Sequence, residues 1–189
     1  MKIALDFDGV LANTNLLKKQ FAENNFGFSV PVYYCDKSSF TRLFGERNYR
    51  IMVSELYTKK MTLITPPTPG ALQTIKLLSK DHELILISDR PASRLDWAKE
   101  WLLYKNILNF FRYIISSNKT QKYILCQSYK CNMLIDDDVR HLKIGNFGFS
   151  RVLFKYGAEQ KIFDDLKLDN IYCASSWKMA LKIIEDLEK

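Results

Sequence analysis

Histidine is almost missing from this 189-residue sequence, which holds only His82 and His141. A histidine-built metal centre is therefore excluded, and little room is left for imidazole acid–base chemistry. The four cysteines (Cys35, Cys126, Cys131 and Cys173) form no Cys-x-x-Cys pair. They read as small buried hydrophobes in a reducing compartment, not as a disulfide framework or a zinc site. No apolar run approaches the roughly 20 residues of a membrane span, and no apolar stretch with a small-residue cleavage site opens the chain. These absences predict a cytoplasmic protein without a membrane partner, working from Met1 onward. Internal repeats and low-complexity segments are also lacking. Acidic residues are the scarcer charge, 21 against 28 Lys and Arg, for a formal net charge of +7. That balance suits anionic partners such as phosphates or nucleic acids, although a solvated surface accounts for it equally well.

What is present has the ordinary balance of a globular chain, 47% hydrophobic and 26% charged. The length predicts one domain, or one domain with a small insertion. Four short apolar runs end abruptly in polar residues. Lys2 to Leu5 stops at Asp6-Phe7-Asp8-Gly9, and Glu83 to Ile87 stops at Ser88-Asp89-Arg90. Tyr113 to Ile115 stops at Ser116-Ser117-Asn118, and Cys131 to Ile135 stops at Asp136-Asp137-Asp138. Continuous apolar runs of this kind read as strands of a parallel sheet buried on both faces. Helical spacing lies between and after them: Leu72, Ile75 and Leu78 behind Pro69-Gly70; Leu95, Ala98 and Leu102 beside Trp97 and Trp101; and Trp177, Leu181, Ile184 and Leu187 behind Ser175-Ser176. The alternation predicts an α/β protein with a parallel sheet flanked by helices. Residues 14–66 interrupt it, being longer than a crossover needs. This stretch is rich in aromatics and ends in Thr65-Pro66-Pro67-Thr68-Pro69-Gly70, so it reads as a helical insertion closed by a stiff linker.

In open parallel sheets, ligands bind beyond the carboxyl ends of the strands. Asp6, Asp8, Ser88 and the Asp136–Asp138 run would gather there. Any one of these aspartates alone reads as a turn or helix cap. Several converging carboxylates repel one another, and a hard divalent cation with oxygen ligands, most simply Mg²⁺, relieves that repulsion.

Asp6-Phe7-Asp8-Gly9-Val10-Leu11 after the first strand resembles the DxDGx signature of the haloacid dehalogenase (HAD) superfamily. Ser88 at the end of the second strand, a lysine near 120 and Ile135-Asp136-Asp137 follow in the superfamily's order, over residues 2 to about 140. Ile87-Ser88-Asp89-Arg90-Pro91 and the placing of the insertion are similar to the 5'(3')-deoxyribonucleotidase branch and its bacterial relatives. The resemblance implies a HAD-like Rossmannoid core over residues 1–13 and 67–189, with a small helical cap, 14–66, inserted after the first strand. It implies phosphatase chemistry: Asp6 as nucleophile forming an aspartyl-phosphate, and Asp8 as general acid and base. An acid at position 8 sets the sequence apart from superfamily members that dehalogenate or pump ions. Mg²⁺ is implied at Asp6, the Asp8 backbone carbonyl and Asp137, with Asp136 beside them, while Asp138 reads as the start of the next helix. Ser88 is implied as a phosphate donor. For the phosphate-binding lysine, Lys122 has better spacing than Lys119. Arg90 either contacts phosphate or pairs with a neighbouring acid.

The resemblance thus points to a small phosphorylated substrate, in first place a (deoxy)nucleoside monophosphate, with one or two cap aromatics stacking on the base. Sugar phosphates and phosphorylated nucleic-acid ends rank behind it. The intact set of Asp6, Asp8, Ser88 and Asp137 argues against a non-catalytic HAD-fold binding protein. Oligomeric state is not legible.

Overall fold

The computed structural model describes residues 1–117, 120–143, 148–166 and 170–188. Its centre is a six-stranded parallel sheet of β1 (Lys2–Leu5), β2 (Glu83–Ser88), β3 (Phe111–Ser116), β4 (Met133–Asp136), β5 (Ser150–Phe154) and β6 (Tyr172–Ala174), in the order β3-β2-β1-β4-β5-β6. The chain therefore starts in the middle, builds outward to β3, and then crosses to build the other half from β4. β1 pairs Leu5 with Leu86 on one side and with Ile135 on the other. The polar residues that follow all three strands thus emerge side by side.

Strand alternation divides the apolar residues between two layers. Ile3, Leu5, Leu84, Leu86, Met133 and Ile135 pack with α4 (Ala71–Leu78), α5 (Ala92–Tyr104) and α9 (Trp177–Leu187). Ala4, Ile85, Ile87, Leu134 and Leu153 pack with α6 (Lys122–Ser128), α7 (Arg140–Lys143) and α8 (Gln160–Asp165). Each fully buried Ile or Leu contributes about 1.5–3 kcal/mol relative to exposure. A strand as short as β1 is held in this way, from both faces. The sheet has two strands more than the four apolar runs announced. β5 opens on the polar pair Ser150-Arg151, and β6 is a three-residue edge strand, so neither carries a long apolar run.

Between β1 and α4 lie α1 (Thr14–Phe26), α2 (Lys37–Leu56) and α3 (Lys59–Ile64). Phe21, Ala22, Phe40 and Met52 form their own small core, with Phe26, Phe44, Tyr49 and Val53 packed against it. Side chains cap all three helices: Asn13 accepts from Leu16 N, Asp36 from Ser39 N and Thr58 from Met61 N. α2 breaks at Gly45, whose φ of 84° and ψ of 158° lie outside the helical region. The chain leaves and returns along one narrow ribbon, where Asn13 N donates to Pro66 O and Thr68 N to Leu11 O. The Trp101 indole ties this ribbon down by donating to Thr65 O at 2.7 Å. No helix among the described residues is long and apolar enough to cross a membrane.

Candidate active site

The next strand in sequence after β1 lies on one side of it and β4 on the other, so strand order reverses there and a crevice opens beyond its carboxyl end. Asp6 and Asp8 follow β1, Asp89 and Arg90 follow β2, and Asp137 and Asp138 follow β4. Together with Lys122 they line one side of a cavity of about 300 Å³. Lys18 of α1, Tyr49 and Val53 of α2, and Tyr57 close it from the helical segment.

Asp6, Asp136 and Asp137 are all buried and can each bring one carboxylate oxygen within 4.8 Å of the others. Both oxygens of Asp136 are already engaged, one by Lys122 Nζ at 2.6 Å and the other by Asp138 N at 2.9 Å. Asp6 and Asp137 therefore have the freer oxygens, and Asp136 serves chiefly to hold Lys122. Burial pushes the Asp6 carboxyl well above its usual pKa; Lys122 opposes the shift, and Asp136, Asp137 and Asp8 add to it. Burial likewise pushes Asp137 up to about 7, with Lys18 opposing and Asp136 and Asp36 adding. Converging buried carboxylates that resist ionisation form the donor set a hard divalent cation fits. Gly9 makes room for this cluster. At φ +81°, a Cβ on it would lie 2.1 Å from Asp137 Oδ2 and 2.6 Å from Asn15 Nδ2.

Two cations complete the floor. Lys122, the first residue of α6, is 1% exposed and bridges Asp6 at 2.9 Å and Asp136 at 2.6 Å. Burial works against its charge, but Asp136 and Asp6 outweigh burial and raise its pKa. Arg90 grips both oxygens of Asp8, Nε at 2.7 Å and Nη2 at 2.8 Å, while Nη1 donates to Thr62 Oγ1 of α3. Its guanidinium carbon also lies 4.8 Å from the Phe7 ring centroid and 5.1 Å from that of Tyr57. Burial pulls the Asp8 pKa up, yet Arg90, through charge and hydrogen bonds, holds it below the ordinary value.

Asp6, Asp8, Arg90, Lys122, Asp136 and Asp137 thus converge within a few side chains of one another. Of the two roles open to Arg90, the structure shows the pairing with a neighbouring acid. Ser88 lies at the same strand end but is fully buried and is not a cavity wall; its Oγ accepts from Arg90 N at 3.2 Å. Asp138 accepts from Arg140 N at the start of α7 and from Ser38 Oγ of α2, in keeping with a helix-start residue. Lys119 lies outside the described residues. Lys18, Asn15 and Thr62 also belong to the site. By spacing alone Lys18, Asn15 and Thr62 are ordinary helical residues of the insertion. Asn15 stands six residues after Gly9 and donates to Asp137 Oδ2 at 2.6 Å.

No family model and no curated protein matches the sequence. Solved structures do match it. A haloacid dehalogenase-like family hydrolase from Streptococcus pneumoniae superposes with a TM-score of 0.65, covering 97% of each chain at 16% identity. The chain has the HAD fold. A HAD-superfamily hydrolase from Ehrlichia chaffeensis gives 0.60 over 100% of this chain and 97% of that one, at 14% identity. A HAD-hydrolase from Bacillus subtilis, solved bound to magnesium, gives 0.61 over 96% and 97%, at 11% identity. On the HAD fold of this chain, the DxDG turn after β1 sits where the sheet order reverses.

Proposed function

We propose that the protein is a Mg²⁺-dependent phosphomonoesterase that works through an aspartyl-phosphate on Asp6. The observation that carries this reading is a buried nucleophile-type carboxylate held at 2.9 Å by an equally buried lysine, with a second carboxylate, Asp8, two residues on in the same cavity. The Asp6 carboxylate attacks phosphorus, and the bond from phosphorus to the leaving oxygen breaks as Asp8 delivers a proton to that oxygen. Water then attacks the aspartyl-phosphate, Asp8 takes its proton, and inorganic phosphate leaves with Asp6 restored. Held ionised by Arg90, Asp8 is ready for the second step. The negative charge of an arriving phosphate raises its pKa and favours the protonated form that the first step needs. Lys122 steadies the phosphoryl oxygens, while Ser88, expected as a phosphate donor, lies buried behind the cavity wall and accepts from Arg90 N. Asp6, Asp137 and the Asp8 backbone carbonyl would hold Mg²⁺, which offsets charge on the phosphoryl oxygens.

Residues 14–66 act in this reading as a cap on a core of residues 1–13 and 67–189, closing the cavity against water. Tyr49 and Tyr57 in the cavity wall support nucleoside monophosphates as the substrate class, since a nucleobase stacks on such rings. The test is phosphate release from nucleoside monophosphates and sugar phosphates, with Asp6→Asn and EDTA-treated protein as controls. Mg²⁺-dependent release led by nucleotides and absent from both controls is expected. Full activity in either control would overturn the assignment.

A further inference from the structure

We infer that the cavity is built for a phosphomonoester carrying a second anionic group, a carboxylate or another phosphate, and that Lys18 receives that group. The inference rests on the phosphomonoesterase reading above and narrows its substrate class to esters whose leaving group carries its own charge, so that a nucleoside bisphosphate outranks a plain nucleoside monophosphate.

Lys18 is 3% exposed and lines the cavity. Its ammonium donates to Asn15 Oδ1 at 2.9 Å, and among the described residues no carboxylate forms an ion pair with it. The other buried cations of the site are matched: Lys122 has Asp6 and Asp136, and Arg90 has both oxygens of Asp8. Burying an ammonium without a counter-ion is costly, so an unmatched one in a cavity wall marks the place of an anion that arrives with the ligand. The charge of Lys18 also acts on Asp137, which Asn15 bridges to it, and on Asp8, but neither lies within ion-pair distance; the proposed cation would take up the charge of Asp137, and Arg90 already holds that of Asp8. Lys37 and Arg94 line the same cavity without an acid partner among the described residues; Lys37 stands 5.5 Å from the centroid of the Tyr49 ring. The phosphoryl group to be transferred lies over Asp6 and is answered by Lys122. A leaving group with no charge of its own would leave Lys18 with only the Asn15 oxygen and the Tyr57 ring 6.0 Å away, and Lys37 with only the Tyr49 ring. A second anion satisfies Lys18 first, and the two outer cations favour its approach.

The test compares kcat/KM within two substrate pairs: thymidine 3',5'-bisphosphate against thymidine 5'-monophosphate, and 3-phosphoglycerate against glycerol 3-phosphate. Wild type, Lys18→Met and Lys18→Arg are measured on both. In wild type, at least one pair is expected to favour the member with the second anion by about tenfold or more. Lys18→Met should bring that ratio near one, and Lys18→Arg should keep most of it. Discrimination in the first pair alone identifies a second phosphate, and in the second pair alone a carboxylate. Ratios near one in wild type would overturn the inference. So would equal losses for both members in Lys18→Met, which would make Lys18 a support for Asn15 and Asp137. Hydrolysis of p-nitrophenyl phosphate serves as the separate check on the phosphatase reading. If no ester is hydrolysed, calorimetric binding of phosphonoacetate against methylphosphonate to the same three proteins decides the role of Lys18 by the same ratios.

Discussion

Arg90 sets the protonation of Asp8, and the sign of its effect can be followed through pH. A carboxyl whose folded pKa is depressed contributes stability above its unfolded value of about 3.9, and that stability is lost as pH falls through the folded value. Arg90→Met removes the ion pair that depresses Asp8. The acidic limb of kcat, set by the ionised Asp8 that hydrolysis of the aspartyl-phosphate needs, should then move toward neutral pH, and the variant should lose more stability at pH 7 than at pH 3. A pH–rate profile with an unmoved acidic limb would contradict this. Gly9 is the second residue with a sharp consequence. Gly9→Ala drives a Cβ into Asp137 and Asn15 and puts alanine at φ +81°. The backbone conformation alone costs about 1–3 kcal/mol. Thermal unfolding should show a lowered midpoint and little further stabilisation by Mg²⁺. The acidic residues of the site were legible in the sequence because they terminate apolar runs. Lys18 and Asn15 were not, because a lysine or asparagine early in a helix has the same spacing whether it faces water or a cavity.

Helix α2 is fastened to the sheet at its start. Asp36, its capping residue, makes a buried ion pair with Lys155, which directly follows β5, and Ser38 reaches Asp138 at the end of β4. Lys155→Met leaves the Asp36 charge buried alone, which costs about 3–5 kcal/mol in comparable pairs. Urea unfolding should show that loss, and adding Asp36→Asn should recover much of it, since the amide oxygen can still cap Ser39. An additive double variant would show that the pair is not coupled. Element by element, α4, α5 and α9 were readable from apolar spacing, α4 also from the breaker Pro69-Gly70 before it and α9 from its cap Ser176. The break in α2 was not read, because a single glycine in a helical pattern is compatible with a continuous helix. Most of the aromatics in the insertion proved to be its own core, as a small helical unit requires, and Tyr49 and Tyr57 line the cavity.

For the whole molecule, stability, metal and pH are linked through the carboxylate cluster. With its pKa pushed up to about 7, Asp137 keeps a proton in the metal-free folded protein at pH 5 to 6, where the unfolded chain has lost it. On its account, the metal-free protein loses stability as pH rises from about 4 to about 7. A cation that displaces this proton binds more tightly as pH rises, by up to about tenfold per pH unit for one proton below the pKa. The gain in unfolding temperature from Mg²⁺ over EDTA should therefore be larger at pH 8 than at pH 6, and equal gains would contradict the linkage. The overall architecture was legible because a central strand must be apolar throughout and must end where the ligand-facing residues begin. The occupants of the cavity's far side were not, because they come from a helical segment whose packing is set by its own core. The central claim is covalent chemistry at Asp6. The most direct measurement is mass spectrometry of Asp8→Asn protein, mixed with Mg²⁺ and p-nitrophenyl phosphate and quenched in acid within the first turnover. A good leaving group lets the first step proceed without an acid, while loss of the base slows the second. The account predicts a phosphoryl group on the peptide containing Asp6, absent when Asp6→Asn is added. Turnover without any phosphorylated peptide, or with the label on another residue, would contradict it.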